Sequence, residues 1–177
     1  MNAGVSFGKL MKSTARLLIA ALALSAIAYG QEPPGSRFAK VEIEDDDQFN
    51  HRLRLDGKDA LKYEGLSLAV YDVLRGRGVD YLIVQANTGG IGCPFRLFIV
   101  EVCKSGAFKV SEEFGSCGEP DAARLVKGRV VVETGVYVAH PDLLPKRELR
   151  RRERTKEVYT WYRGTLTKKT MPLRGGL

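Results

Sequence analysis

The chain is poor in the side chains from which active sites are most often assembled. Its 177 residues include two histidines, His51 and His140, three cysteines and one tryptophan. Beyond residue 28 no Gly-x-Ser-x-Gly, His-Glu-x-x-His or Cys-x-x-Cys pattern occurs. The spacings of nucleophile-elbow hydrolases, zinc peptidases and dithiol oxidoreductases are therefore missing. His51 falls in a charged strand and His140 beside a proline, and both read as surface positions. Cys103 ends an apolar strand, where a thiol is ordinarily inert. Asp45, Asp46 and Asp47 are consecutive, without the alternation of a calcium loop, and read as a solvated turn. A non-catalytic protein without cofactor or metal is expected. The one enzymatic arrangement left open is a carboxylate pair drawn from Glu112, Glu113 and Glu133, should the fold bring them together.

Long apolar runs are also missing. The longest uncharged apolar stretch, Leu17 to Ala28, has twelve residues, too few to span a bilayer. Lys9, Lys12 and Arg16 precede it, and Ala26-Ile27-Ala28 closes it with small residues at the spacing of a cleavage site. Residues 1–28 thus read as a secretory signal peptide. There is no arginine pair for export of a folded protein and no following cysteine to accept a lipid. A mature chain without a transmembrane anchor is expected to begin near Tyr29, in the periplasm or secreted. Removing the leader takes three cations and no anion, so the formal charge falls from +7 to +4. No repeat of fixed period is present, which argues against a propeller.

What the chain does contain is β-sheet pattern. Gln31 to Ser36 holds two prolines and a glycine, and residues 29–37 read as a flexible lead-in to one β-domain at 38–170, with a flexible tail at 171–177. Lys40 to Glu44 and His51 to Leu55 alternate at period two, the second ending at the turn dipeptide Asp56-Gly57. Asp59 to Glu64 reads as a short helical turn. Leu66 to Leu74, a run from Val79, and Arg96 to Cys103 follow as strands. Arg124 to Val126 faces Arg129 to Val132 across Lys127-Gly128, and Val158 to Arg163 turns at Gly164 into Thr165 to Thr167. Leu82, Val84, Phe98, Val100 and Val102 mark one core face, and Leu97 and Ile99 point the opposite way. A strand apolar on both faces is covered on both sides, which predicts a mainly β fold of eight or nine strands, an antiparallel sandwich or barrel-like meander.

The cysteines follow from the register. If Arg96 to Cys103 and Ala107 to Glu113 form a hairpin about Lys104-Ser105-Gly106, paired residue numbers sum to about 210. Cys93 and Cys117 also sum to 210, so they lie opposite each other where a disulfide can close. Cys103 is about 30 Å along an extended strand from Cys93 and is the odd thiol. An oxidising compartment favours the bridge over three reduced thiols. Between the cysteines and the preceding strand lies Thr88-Gly89-Gly90-Ile91-Gly92. No helix or lysine follows it as in a phosphate-cradling loop, so it reads as a tight crossing.

One segment departs from the average composition. Lys146 to Lys156 carries seven cations, Lys146, Arg147, Arg150, Arg151, Arg152, Arg154 and Lys156, against two carboxylates. Pro145 suits the first turn of a short helix, but apart from Leu149 the segment has no apolar face, so a mobile basic loop or arm is expected. Clustered cations displace counterions from any polyanion, so the expected partner is an anionic envelope polymer or an envelope protein. Nucleic acid is seldom met outside the cell and is not expected.

Asn87-Thr88-Gly89-Gly90-x-x-Cys93-Pro94 after an apolar strand, with Phe114-Gly115-x-Cys117 downstream, resembles small exported proteobacterial proteins of uncharacterised function. The resemblance covers about Val79 to Arg163. It implies a disulfide-pinned envelope β-domain and brings no catalytic residue. The expected function is an exported, non-catalytic binding or inhibitor-like module acting through its surface. The alternative is an envelope-associated structural protein that holds a polyanion by the basic segment. Mass analysis of the exported protein should find an amino terminus close to Tyr29 and, in non-reduced tryptic digests, Cys93 joined to Cys117. Retention of Met1, or a crosslink through Cys103 in the monomer, would contradict this reading.

Overall fold

The computed structural model describes residues 35–173. The expected signal peptide, residues 29–34 of the lead-in and residues 174–177 of the tail lie outside the described residues. The eleven strands are β1 (Val41–Asp45), β2 (Asn50–Leu55), β3 (Lys58–Glu64), β4 (Ser67–Arg75), β5 (Val79–Asn87), β6 (Phe95–Cys103), β7 (Phe108–Val110), β8 (Pro120–Val126), β9 (Arg129–Gly135), β10 (Thr155–Tyr162) and β11 (Thr165–Pro172). One helix, α1 (Lys146–Glu153), lies between β9 and β10, preceded by a 3-10 turn at Pro141–Leu143. The strands form three antiparallel sheets, β1-β2-β3, β4-β5-β6-β7 and β11-β10-β9-β8.

The middle sheet explains the other two. β5 and β6 pair over their full length, from Val79 opposite Cys103 to Asn87 opposite Phe95. Side chains alternate across a strand, so these two strands present apolar groups to both sides. Leu82, Val84, Ala86, Phe98, Val100 and Val102 face the first sheet and meet Leu53 and Leu55, with Val41, Ile43 and Tyr63 closing the edges. Tyr63 meets Phe98 edge to face, ring centroids 5.9 Å apart. Tyr81, Ile83, Leu97 and Ile99 face the third sheet, where Val130, Val132, Tyr159 and Trp161 complete a second core. The antiparallel β fold expected from the pattern is present, with a covering sheet on each face of the central one. Burying each Leu, Ile or Val contributes about 1.5–3 kcal/mol, and a bare face on either side would forfeit that for a whole layer.

Three details differ from the reading of the sequence. Asp59 to Glu64 is part of strand β3 rather than a helical turn, because Leu61 pairs with Leu53 and Tyr63 with His51 across a two-residue hairpin. With this strand eleven are present among the described residues, against the eight or nine expected, and the arm expected at Ala107 to Glu113 is the short β7. The sum of 210 holds for Val100–Val110, Glu101–Lys109 and Val102–Phe108 and slips by one at Leu97–Phe114. The slip follows Ser111, whose hydroxyl accepts the Ile99 N–H at 2.9 Å and takes the place of a backbone partner.

The ends of the sandwich are held differently. Asp56-Gly57, Lys127-Gly128 and Arg163-Gly164 have both central residues at positive φ, the turn whose twist matches paired strands. Near this end Asp80, fully buried, accepts Ser36 Oγ at 3.0 Å and the Arg37 backbone N–H at 2.7 Å, and pairs with the Arg37 guanidinium at 2.6 Å. Burial by itself would raise the pKa of Asp80, but the hydrogen bonds from Arg37 and Ser36 outweigh it and hold the carboxyl below its ordinary range. The first described residues are thereby tied to β5.

Ile99 and Val100 are adjacent and point into different layers. Ile99→Ala should cost about 2–5 kcal/mol, and Val100→Ala should also destabilise, each within a single urea transition. A variant that loosens one sheet while the other melts unchanged would show that the two cores are not one cooperative unit.

Candidate functional site

The register of the three sheets puts the three long connections at one end. At one end lie 56–57, 76–78, 104–107, 127–128 and 163–164, all of two to four residues. At the other lie 46–49 and 65–66, of four and two residues, with the long connections 88–94, 111–119 and 136–154. The sheets are aligned, since Gly76 at the short-turn end approaches Leu125 and Trp161 donates to Glu101 at 3.0 Å. At the opposite end Leu66 donates to Asn87 O. Short hairpins complete a scaffold, whereas long connections carry shapes that the sheets do not dictate. The candidate site is therefore the loop-bearing end.

The loop after β5 is closed on itself and pinned. Thr88 Oγ1 donates to Cys93 O and accepts the Gly90 N–H at 3.0 Å, and Gly89 N–H donates to Asn87 Oδ1 at 2.9 Å. The Thr88, Gly89 and Gly90 amides are spent within the loop, which agrees with the reading of a tight crossing. Cys93 and Cys117 are bonded, with Cα atoms 4.5 Å apart, and Cys103 is the free thiol. The bridge joins the loops after β5 and β7. Tyr137, in the long connection after β9, donates its hydroxyl to Ile91 O at 2.8 Å and its N–H to Ser116 O. Three loops from two sheets are thus held as one surface.

The basic segment is the principal charged feature of this end. Lys146–Glu153 is helical rather than a mobile loop. Pro145 precedes the first turn, and its carbonyl accepts the N–H groups of Glu148 and Leu149. Glu148 lies in the first turn and Arg150, Arg151 and Arg152 in the last, the arrangement the helix dipole favours. Glu148 also takes the half-buried Arg152 at 3.1 Å and the exposed Arg151 at 3.6 Å. Arg147, Arg150, Arg151 and Arg154, spaced i, i+3, i+4 and i+7, share the exposed face. Lys146, Arg147, Arg150 and Arg154 make no ion pair among the described residues. Lys156 is different. It sits on β10 and is paired with Glu133, which Arg124 also meets; these two cations hold the Glu133 carboxyl below its ordinary range.

The three carboxylates do not converge. Glu133 points away from the core side of the third sheet, while Glu112 and Glu113 line a hollow on its inner side with Arg96, Tyr159 and Lys168. A second hollow of about 430 Å³ lies between α1 and the inner side of β10, lined by Val136, Arg151, Arg152, Thr155, Glu157 and Thr170. At its base the Glu157 carboxylate accepts Tyr159 OH and pairs with Lys168 at 2.7 Å. Burial, and next the bond to Glu157, raise the pKa of the Tyr159 phenol.

His51 is buried, 5 % exposed, in place of the surface position expected for it. It stands at the start of β2 with the inward parity of Leu53 and Leu55. Nδ1 meets Asp45 and Nε2 meets Gly65 O at 3.1 Å. The neighbouring aspartates are occupied as well. Asp46 pairs with Arg52, and Asp47 accepts the N–H groups of Phe49 and Asn50. Sequence reasoning missed this clamp because the charges around His51 hid its inward parity. It also gave no weight to Ile91 or Tyr137, each a lone residue in an irregular loop.

Both ring nitrogens of His51 face acceptors, and only the imidazolium donates twice. The hydrogen bond to Asp45, then the Gly65 carbonyl, raise its pKa above the ordinary 6.5 against the opposing effect of burial. A raised folded-state value stabilises the fold in full below about pH 6.5, and the contribution is lost as pH rises through the folded value. The urea midpoint should therefore fall on passing upward through that interval in the parent protein, and His51→Gln should flatten the dependence. An unchanged slope in the variant would show that His51 is not the titrating group.

No protein-family model matches the chain, and no curated protein matches its sequence.

Proposed function

We propose that the protein is an exported, non-catalytic binding module that recognises its partner through the loop-bearing end. The observation that carries the reading is the segregation of the connections. Every long one, the Cys93–Cys117 bridge and the basic helix lie at the same end of three sheets whose other end is trimmed to tight turns. A disulfide across two of these loops lowers the entropy lost on binding by holding them before contact, and it suits an oxidising compartment outside the cytoplasm. Among the described residues no helix is long and apolar enough to cross a membrane. Asp45, Asp46 and Glu113 are taken up by His51, Arg52 and Arg96, which favours recognition over acid-base chemistry.

The alternative reading, an envelope-associated structural protein holding a polyanion, is supported by the exposed arginine face of α1. It differs from the first in depending on charge alone and so in losing affinity steeply with salt.

A photo-crosslinking residue placed singly at Ile91, Leu143, Lys104 or Lys127 in the exporting cell tests the first reading. Adducts should form from Ile91 and Leu143, at the loops, and be absent from Lys104 and Lys127, at the tight turns. Adducts confined to the tight-turn end would overturn it.

A further inference from the structure

The loop-bearing end carries apolar side chains beside its charge. Of the eight large hydrophobic side chains exposed among the described residues, five sit there: Phe49, Leu66, Ile91, Leu143 and Leu173. Ile91 is 75 % exposed and Leu143 74 %. These tips are connected through the loops. Gly65 N–H donates to Phe49 O, Leu66 lies so close to Gly89 that a Cβ there would come within 2.7 Å of its Cγ, and Ile91 is held by Tyr137. Leu143 ends the 3-10 turn that leads into α1. The segment 136–156 carries seven cations against three carboxylates, a surplus of four.

Resting on the reading of this end as the recognition surface, we infer that it docks on an anionic phospholipid bilayer. Ile91 and Leu143 enter the interface, and Arg147, Arg150, Arg151 and Arg154 bind the lipid phosphates. The two kinds of group answer to two parts of one surface. Guanidinium forks match phosphate oxygens two at a time and are less strongly hydrated than ammonium groups. Their i to i+7 spacing spreads them over about 10 Å of helix, so they meet a field of headgroups rather than a single ion. A soluble polyanion satisfies the arginines but gives the exposed tips nothing to bury against, whereas the acyl boundary of a bilayer takes up both. The pinned loop presents Ile91 without a new ordering cost, because its amides, the disulfide and Tyr137 already hold it.

Co-sedimentation of the exported protein with vesicles of phosphatidylcholine, alone or mixed with phosphatidylglycerol, tests the inference. Binding should require phosphatidylglycerol and weaken with salt. Each cation near an anionic surface multiplies partitioning about fivefold, so the change of Arg147, Arg150, Arg151 and Arg154 to serine should reduce it by about two to three orders of magnitude. Ile91→Ser with Leu143→Ser, which leaves the charges intact, should reduce it about tenfold. Both variants alter exposed positions, and an unchanged unfolding midpoint checks that each is folded. No binding to the mixed vesicles at low salt would overturn the inference. So would vesicle binding that is lost with the arginines and indifferent to Ile91 and Leu143, since that marks attraction to any polyanion. If vesicle binding fails while crosslinks still form from the loop end, the lipid inference falls and the recognition reading stands. Crosslinks from the tight-turn end alone would remove both.

Discussion

The β5–β6 hairpin is the constraint on which the rest of the structure depends. It is apolar on both faces, and water on either would expose a full row of aliphatic groups. Leu82, Val84 and Val100 call for one cover, and Ile83, Leu97 and Ile99 for another. The chain supplies the first before it reaches the hairpin and the second after it. The three-layer order is therefore the order of synthesis, built from sequence-adjacent antiparallel pairs with few crossings. A mostly local meander of this kind places little demand on long-range loop closure.

That architecture leaves the two ends unequal. Strands that return through two-residue hairpins have no spare chain, so the turns at Asp56-Gly57, Lys127-Gly128 and Arg163-Gly164 serve the ladders alone. All passages between sheets fall at the opposite end, and there the chain has length to use. The disulfide stands where the central and third sheets exchange the chain, at the point where loops would otherwise be least constrained. By the chain-entropy account, closing its loop contributes about 3 kcal/mol, placed where the strand pairing has already ended.

Charge is distributed by the same division. On the outer side of the first sheet, arginines and carboxylates alternate and pair, as Arg54 does with Glu44 and Arg52 with Asp46. Such exposed pairs contribute little to stability, but they leave the sheet without a strong local field. The helix α1 is the exception. Glu148 engages Arg151 and Arg152, whereas Arg147, Arg150 and Arg154 on the outer face make no ion pair among the described residues. The arginines of α1 and the exposed apolar tips of Ile91 and Leu143 thus share the loop-bearing end, where neither is needed by the core.

Much of the fold was legible in the chain because period-two alternation is a local property. The double-faced strands, the hairpin turns, the register sum of 210 and the Cys93–Cys117 pairing could all be read from residues close in sequence. The same reading went astray wherever the deciding partner was remote or irregular. Asp59 to Glu64 carries too many charges to look like a strand until β2 pairs with it. His51 looks like a surface residue until Gly65 and Asp45 close on it. The basic segment, with only Leu149 to anchor it, reads as a loop until Pro145 and Glu148 set its first turn. The chain by itself determined which residues must be buried, since that depends on local pattern and the cost of wetting apolar groups. Only the tertiary structure decided that the long loops, the bridge, the cations and the apolar tips share one end, because that depends on how strand directions align between sheets, which no local pattern encodes.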